Sequence, residues 1–384
     1  MATLSLKPAP RISLVTPSYN QGRFLEDCIK SVLRQGYSNL EYIIIDGKST
    51  DSSVSVISRY AARLTHWVSE PDGGQADAIN KGLRLATGEL VTWLNADDFY
   101  LPGALRQAAA AYRANPEASF YFGNGWRADE AGRLCSKFCR NGRLRFDRDA
   151  LIRGLNYILQ PATFINRKHL VRANYLNPGL EYGLDSDLWI RLSAISAPEP
   201  VPACLAASRE YGRTKTATGS FRRAEELRQI AQQHGGIPLT PGALCYYLDV
   251  VHQVVEQNPG AYPATFLAQL QFFWTAACQL MAAHGAGPDG FPVAGSAARP
   301  GGVSPGGKLR DNLLIGGEQR AARVDVIDDL GRRLERASRK LDRLKQRSLK
   351  ARVRRLLAGT YRLLSGSWRA FPWAGARRRR EGWP

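Results

Sequence analysis

The stretch Leu90-Val91-Thr92-Trp93-Leu94-Asn95-Ala96-Asp97-Asp98 carries a short apolar run straight into two adjacent carboxylates. β-Branched and aromatic residues alternate in the run, which predicts a buried strand with the acids at its carboxyl end. In open α/β sheets that is the edge where ligands bind. Neighbouring acids repel unless a proton or a cation separates them. Hard carboxylate oxygens suit Mg²⁺ or Mn²⁺, which keep several waters and take up phosphates. Two readings stand at this point. One is a metal–diphosphate site at a sheet edge. The other is a pair of caps, Asp97 and Asp98, for a helix starting at Pro102.

Upstream, Ile12 to Thr16 reads as a first strand, broken by Pro17-Ser18-Tyr19-Asn20. Phe24, Leu25, Ile29, Val32 and Leu33 recur at helical spacing and predict a helix over 22–35, closed by Gly36. Tyr42 to Ile45 is a second strand ending at Asp46, and Ser49, Thr50 and Asp51 are placed to cap the helix after it. Thr65 to Val68 is a third strand, and residues 75–86 form a helix stopped at Gly88. This alternation predicts a parallel sheet with helices on both faces. All four strand ends, Thr16–Asn20, Asp46, Glu70–Asp72 and Asn95–Asp98, then fall on one edge. No Gly-x-Gly-x-x-Gly follows the first strand and no Walker-type Gly-Lys-Ser/Thr occurs, which excludes dinucleotide and P-loop motifs.

Taken in order, these blocks resemble the family-two glycosyltransferases of GT-A fold. The blocks are Thr16-Pro17-Ser18-Tyr19-Asn20, Ile45 to Asp51, Ser69 to Gly82, and Leu94-Asn95-Ala96-Asp97-Asp98. They continue through Tyr121-Phe122-Gly123-Asn124, Gln160-Pro161-Ala162-Thr163-Phe164 and Leu184 to Leu192, so the resemblance covers roughly residues 11–220. It implies a GT-A-type, mostly parallel sheet flanked by helices. It also implies an inverting transferase that moves a sugar from a nucleotide-diphosphate sugar, commonly UDP-linked, to a glycan or lipid-linked hydroxyl in cell-surface polysaccharide synthesis.

The resemblance also implies roles for residues. Asp46 would hydrogen-bond the base, and the loop from Pro17 through Tyr19 would run along the nucleoside. Asp72 and the Gly73-Gly74 pair would lie beside the nucleotide, and Lys215 would meet phosphate. Asp97 is similar to the metal-binding end of an Asp-x-Asp signature whose first position is Asn95 here, with Asp98 a second candidate ligand. An amide at 95 can accept from ribose but removes one charge. Asp185 aligns with the general base, with Leu184 replacing the Glu that often precedes it, and Asp187 reads as a helix cap. Gln160 to Phe164 runs either under the acceptor cleft or as a structural strand. Tyr211 stands where relatives often have His.

The 384 residues carry a net charge of +19, unevenly placed. From Lys308 onward 22 basic residues face 8 acidic ones, against 31 and 26 before it. Domains are expected as a tail over 1–10, a catalytic domain over 11–220, a helical module over 221–284, a Gly/Pro-rich linker over 285–317 and a basic amphipathic segment over 318–384. That last segment suits an anionic membrane surface, with a coiled-coil homo-oligomer and nucleic acid as alternative partners. Six cysteines, Cys28, Cys135, Cys139, Cys204, Cys245 and Cys278, show no Cys-x-x-Cys spacing, which fits a reducing compartment. No signal-like or spanning segment is recognisable, so a cytoplasmic protein at a membrane surface is expected. Two further function classes remain open: a noncatalytic nucleotide-sugar binder, and a scaffold working through its basic tail.

Overall fold

The computed structural model describes residues 9–139, 144–212, 214–215, 220–256 and 270. Contacts divide the chain into two compact units, with the boundary between Gly219 and Ser220.

The first unit opens with the expected alternation: β1 (Ile12–Ser18), α1 (Gly22–Leu33), β2 (Leu40–Asp46), α2 (Ser53–Tyr60), β3 (His66–Ser69), α3 (Gln75–Leu85) and β4 (Leu90–Trp93). These strands pair in parallel in the spatial order β3-β2-β1-β4. Parallel strands need helices over both faces, so β1, β4 and nearly all of β2 are buried and mostly apolar. Helix α1 turns Phe24, Leu25, Cys28, Ile29 and Val32 inward, the stripe its spacing requires. Register brings the strand ends together, since Ser18 pairs with Asp46 and Asp46 with Ser69.

Beyond β4 the sheet stops being parallel. The remaining strands are β5 (Phe99–Tyr100), β6 (Phe120–Ala128), β7 (Leu134–Lys137), β8 (Thr163–Asn166) and β9 (Glu199–Arg209). The order continues β4-β8-β6-β9-β5, with β8 antiparallel to both β4 and β6. The hairpin strand β7 hangs on β6, and β9 runs parallel to β6. Helices α4 (Ala104–Ala114), α5 (Arg148–Ile152), α6 (Arg167–Arg172) and α7 (Leu184–Ser193) complete the unit. The expected mostly parallel sheet is therefore a mixed α/β sheet whose parallel half carries the strand-end edge.

The capping reading of Asp97 and Asp98 is overturned. Strand β5 intervenes, α4 starts at Ala104, and its N-cap is Gly103 in the left-handed region with no side-chain bond. Asp51 does bond the start of α2, through Oδ1 to the Ser53 N–H at 2.9 Å, and its Oδ2 also accepts from the Gly22 N–H of α1. One carboxylate thus joins the starts of both helices.

In the second unit, α8 (Ser220–Gly235) and α9 (Pro241–Glu256) pack Ala224, Leu227, Leu239, Ala243, Tyr246 and Tyr247 together. Glu225 receives the Arg228 guanidinium at 2.7 Å and the Tyr247 hydroxyl at 2.6 Å. The helix expected over 264–283, the linker and the basic segment, with Cys278, lie outside the described residues apart from Leu270. Among the described residues no helix is long and apolar enough to cross a membrane.

Candidate active site

Tyr19 and Asp72 gather over Gly47 where β1, β2 and β3 end. Tyr19, just past β1, is 64% exposed, unusual for so large a ring. A Cβ on Gly47 would lie 2.6 Å from Asp72 Oδ2 and 3.3 Å from the Tyr19 ring. Glycine therefore lets the Asp72 carboxylate and the Tyr19 ring both lie close over the backbone of residue 47. Asp72 Oδ1 accepts from the Gly74 N–H at 2.8 Å, and Gly74, at φ +107°, takes a conformation that glycine allows before α3 begins. Pro17 is buried within β1 opposite Ile45 and supports the loop from below.

Asp46 is held from within the protein. It is fully buried, and its oxygens accept from the Ser49 N–H and hydroxyl and from the Ser69 hydroxyl, at 2.6–2.9 Å. Ser49 Oγ in turn accepts from the Asn20 N–H at 2.8 Å. A carboxylate so engaged shapes the loop after β2, and the acid beside Tyr19 over Gly47 is Asp72.

At the end of β4 the chain turns, with the Asp98 N–H on the Asn95 carbonyl at 3.0 Å. Asp97 is half-buried, and its Oδ2 accepts from the Tyr211 hydroxyl at 3.0 Å. Burial raises the Asp97 pKa, opposed by the Tyr211 bond and by the charges of Arg209 and Arg23. Asp98 is 3% exposed, with Oδ1 on the Arg209 N–H at 3.0 Å and Oδ2 on the Asn95 amide at 3.2 Å. Burial, and then the charge of Asp97, push its pKa well above the usual carboxylate range. The two neighbours thus have different surroundings: Asp98 points into the protein, and Asp97 keeps partial access.

Among the described residues no three His, Cys, Asp or Glu side chains converge as a cation cage. Mg²⁺ does not need one, since one or two carboxylates plus substrate phosphates suffice. Asp97 fits that requirement, because Tyr211 occupies only one of its oxygens. Asp98 is almost wholly buried, with a protein donor on each oxygen, and is the less accessible of the two acids.

The second half contributes α7. Asp185 lies in its first turn, half-buried, with Oδ1 on the Ser186 N–H at 2.7 Å. Asp187 is no cap: it is buried and ion-paired with Arg191 at 2.8 Å. Arg191 also donates to the carbonyls of Ala173 and Tyr175, so the pair anchors the turn preceding α7. Gln160 to Ala162 form a 3₁₀ turn and Thr163 to Asn166 the strand β8, so this block is part of the sheet.

Sequence reading missed several participants. The Arg209 guanidinium is buried beneath the turn, bonded to the Asp97 carbonyl and to Asp27, each at 2.8 Å. The sequence marks Arg209 only as the first residue of a segment that the family resemblance implies is a basic cluster near the diphosphate, not as a support of this turn. Gln75 and Gln160 bond the side chain of Asn95 from opposite sides, and no spacing rule relates them. Lys215 Nζ donates to Gln75 Oε1 at 2.8 Å, which places Lys215 at the start of α3.

The chain is similar to several known proteins. The family model described as glycosyl transferase family 2 matches residues 13–172. A glycosyltransferase of Mycobacterium tuberculosis, itself uncharacterised, is 31% identical over 195 residues, covering 50% of this chain and 72% of that protein. The GalNAc(5)-diNAcBac-PP-undecaprenol beta-1,3-glucosyltransferase of Campylobacter jejuni is 28% identical over 195 residues, covering 48% and 60%. Among solved structures, the mannosyltransferase PcManGT of Pyrobaculum calidifontis, in complex with GDP-Man and Mn²⁺, is 20% identical with a TM-score of 0.47, covering 74% and 78%.

Proposed function

We propose, from the premise that this chain belongs to glycosyl transferase family 2 and is a glycosyltransferase, that it moves a sugar from a UDP-linked donor to a hydroxyl of a lipid-linked glycan, with inversion at the anomeric carbon. The observation that carries this reading is the strand-end edge. There Tyr19 and Asp72, gathered over Gly47, and the partly accessible Asp97 lie past the ends of adjacent strands.

Tyr19 offers its face to the base. Asp72 Oδ2 accepts from a ring N–H, for which the N3–H of uracil is suited. Lys215 meets the diphosphate. Asp97 would hold Mg²⁺ or Mn²⁺, whose charge would stabilise the departing nucleoside diphosphate. Asp185 takes the proton of the acceptor hydroxyl as its oxygen bonds the anomeric carbon and the carbon–phosphate oxygen bond breaks. Asp46, Asp98 and Arg209 shape the loops and contact no substrate. The undecaprenol-linked glycan in the name of the Campylobacter jejuni relative supports a lipid-linked acceptor.

The test incubates the full chain with a panel of UDP- and GDP-sugars, with and without Mn²⁺, and follows the thermal midpoint. A UDP-sugar should stabilise the protein most, and more strongly with Mn²⁺. If no nucleotide-sugar shifts the midpoint in either condition, the reading is lost. Transfer to a polyprenol-linked acceptor, with the product anomer assigned by NMR, then tests acceptor and stereochemistry.

A further inference from the structure

We infer that Asn95 is a positioning residue whose amide is required as an amide: it locks the turn so that Asp97 is the acid this turn presents, and an acid at 95 would loosen the site rather than strengthen it.

The argument starts from the ends of a hydrogen-bond chain. An ammonium only donates, so the 2.8 Å bond from Lys215 Nζ makes Oε1 the Gln75 atom facing it, and Gln75 Nε2 then donates to Asn95 Oδ1 at 2.9 Å. A backbone carbonyl only accepts. The 2.9 Å bond to the Trp93 carbonyl therefore makes Nε2 the Gln160 atom facing it, and leaves Gln160 Oε1 toward Asn95 at 3.2 Å. Residue 95 must accept on one side and donate on the other. The same Nδ2 also reaches Asp98 Oδ2 at 3.2 Å.

A carboxylate has no donor to offer. With aspartate at 95, one oxygen would face Gln160 Oε1 with no donor between them, and Asp98 Oδ2 would lose the amide donor it now accepts, in a half-buried place. Neither glutamine can rotate in answer without losing its bond to Lys215 or to the Trp93 carbonyl. Because the Asp98 N–H closes the turn on the Asn95 carbonyl, displacing either end moves Asp97 between them.

The inference rests on the reading that Asp97 serves a metal–nucleotide site, and the experiment separates the two. Asn95→Asp, Asp98→Asn and the double variant are compared with wild type by thermal midpoint without ligand. They are also compared by Mn²⁺ affinity in saturating UDP, read from the free-Mn²⁺ electron paramagnetic resonance signal. Each single change should lower the midpoint by roughly 4 °C or more. Asn95→Asp should weaken Mn²⁺ binding about tenfold despite its added charge. The double variant moves the amide to position 98, where it donates back to the carboxylate introduced at position 95 while Oδ1 still accepts from the Arg209 N–H. It should therefore recover at least half of the lost midpoint. An unchanged midpoint with tighter Mn²⁺ binding in Asn95→Asp would overturn the inference, and so would additive losses in the double variant. If wild type binds no Mn²⁺ with UDP, the metal–nucleotide reading fails, and the midpoint cycle still decides whether residue 95 must be an amide.

Discussion

Trp93 and Trp189 stack with ring centroids 5.7 Å apart and 16° between their planes, both fully buried. Trp93 ends β4, two residues before Asn95, and Trp189 sits one helical turn after Asp185 on α7. The stack is therefore a rigid strut between the strand that leads to Asp97 and the helix that carries Asp185. Phe120 also packs on Trp189, with ring centroids 5.0 Å apart. Trp189→Ala should cost about 3–5 kcal/mol of stability. Trp189→Phe should fold, and should lower kcat more than it changes UDP affinity, because only the spacing between the two acids is disturbed. Chemical denaturation and steady-state kinetics check both, and a Phe variant with unchanged kcat would refute the strut.

Asp97 and Asp185 have separable roles. Asp97→Ala should abolish the Mn²⁺-dependent part of UDP-sugar binding in calorimetry. Asp185→Asn should leave that binding within about threefold and reduce transfer by roughly 10² or more, the usual range for losing a general base. The reverse pattern would exchange the assignments.

Asp187 makes a contrasting prediction two residues along the same helix. Its partner Arg191 is only 23% exposed, so Asp187→Ala leaves a largely buried cation without its carboxylate. The expected loss is about 3 kcal/mol, at the low end because two carbonyls still receive Arg191. Urea unfolding of Asp187→Ala beside Asp185→Ala should show a large loss only in the former.

The close approach of Asp72 and Tyr19 over residue 47 depends on an absent side chain. Gly47→Ala would push a methyl to within 2.6 Å of Asp72 Oδ2 and should weaken UDP binding at least tenfold. Asp72→Asn should weaken UDP more than it weakens inorganic diphosphate, because it touches only the base. Equal losses for both ligands would place Asp72 at the phosphates instead.

In the helical unit, Arg228 and then Tyr247 hold the Glu225 carboxyl down to about 2. A carboxyl held below its unfolded value stabilises the fold above that unfolded value, near 4.5, and loses the contribution as pH falls toward 2. Glu225→Gln should flatten the stability profile over that window and lower stability at neutral pH only modestly, since Glu225 is 40% exposed. A profile that keeps its acid slope would show that other carboxyls carry it.

The parallel half of the fold was legible because its signals are local. Apolar runs of strand length, an amphipathic stripe in α1 and polar punctuation are written along the chain, and the crossover rule converts them into one edge. The second half was less legible. Strand β9 pairs with β6 and with β5 across long separations, and no local pattern states that. Asp97 could be singled out from its block, but Asp98, one residue away, carries the same letter and the opposite environment.

The sequence alone determined which residue types stand at the strand ends: a tyrosine after β1, glycines where a side chain would block, acids after β4 and in α7. These follow from chain order, and chain order is what alternation and motif spacing record. Only the tertiary structure decided which acids face out. Asp46 is consumed by two serines, Asp98 by Arg209 and Asn95, and Asp187 by Arg191, while Asp72 and Asp97 each keep an oxygen beyond their protein bonds. The reason is physical. A carboxylate's role is set by how many donors reach its oxygens and how much water is excluded, and those donors come from residues up to 114 positions away, as with the Tyr211 hydroxyl on Asp97.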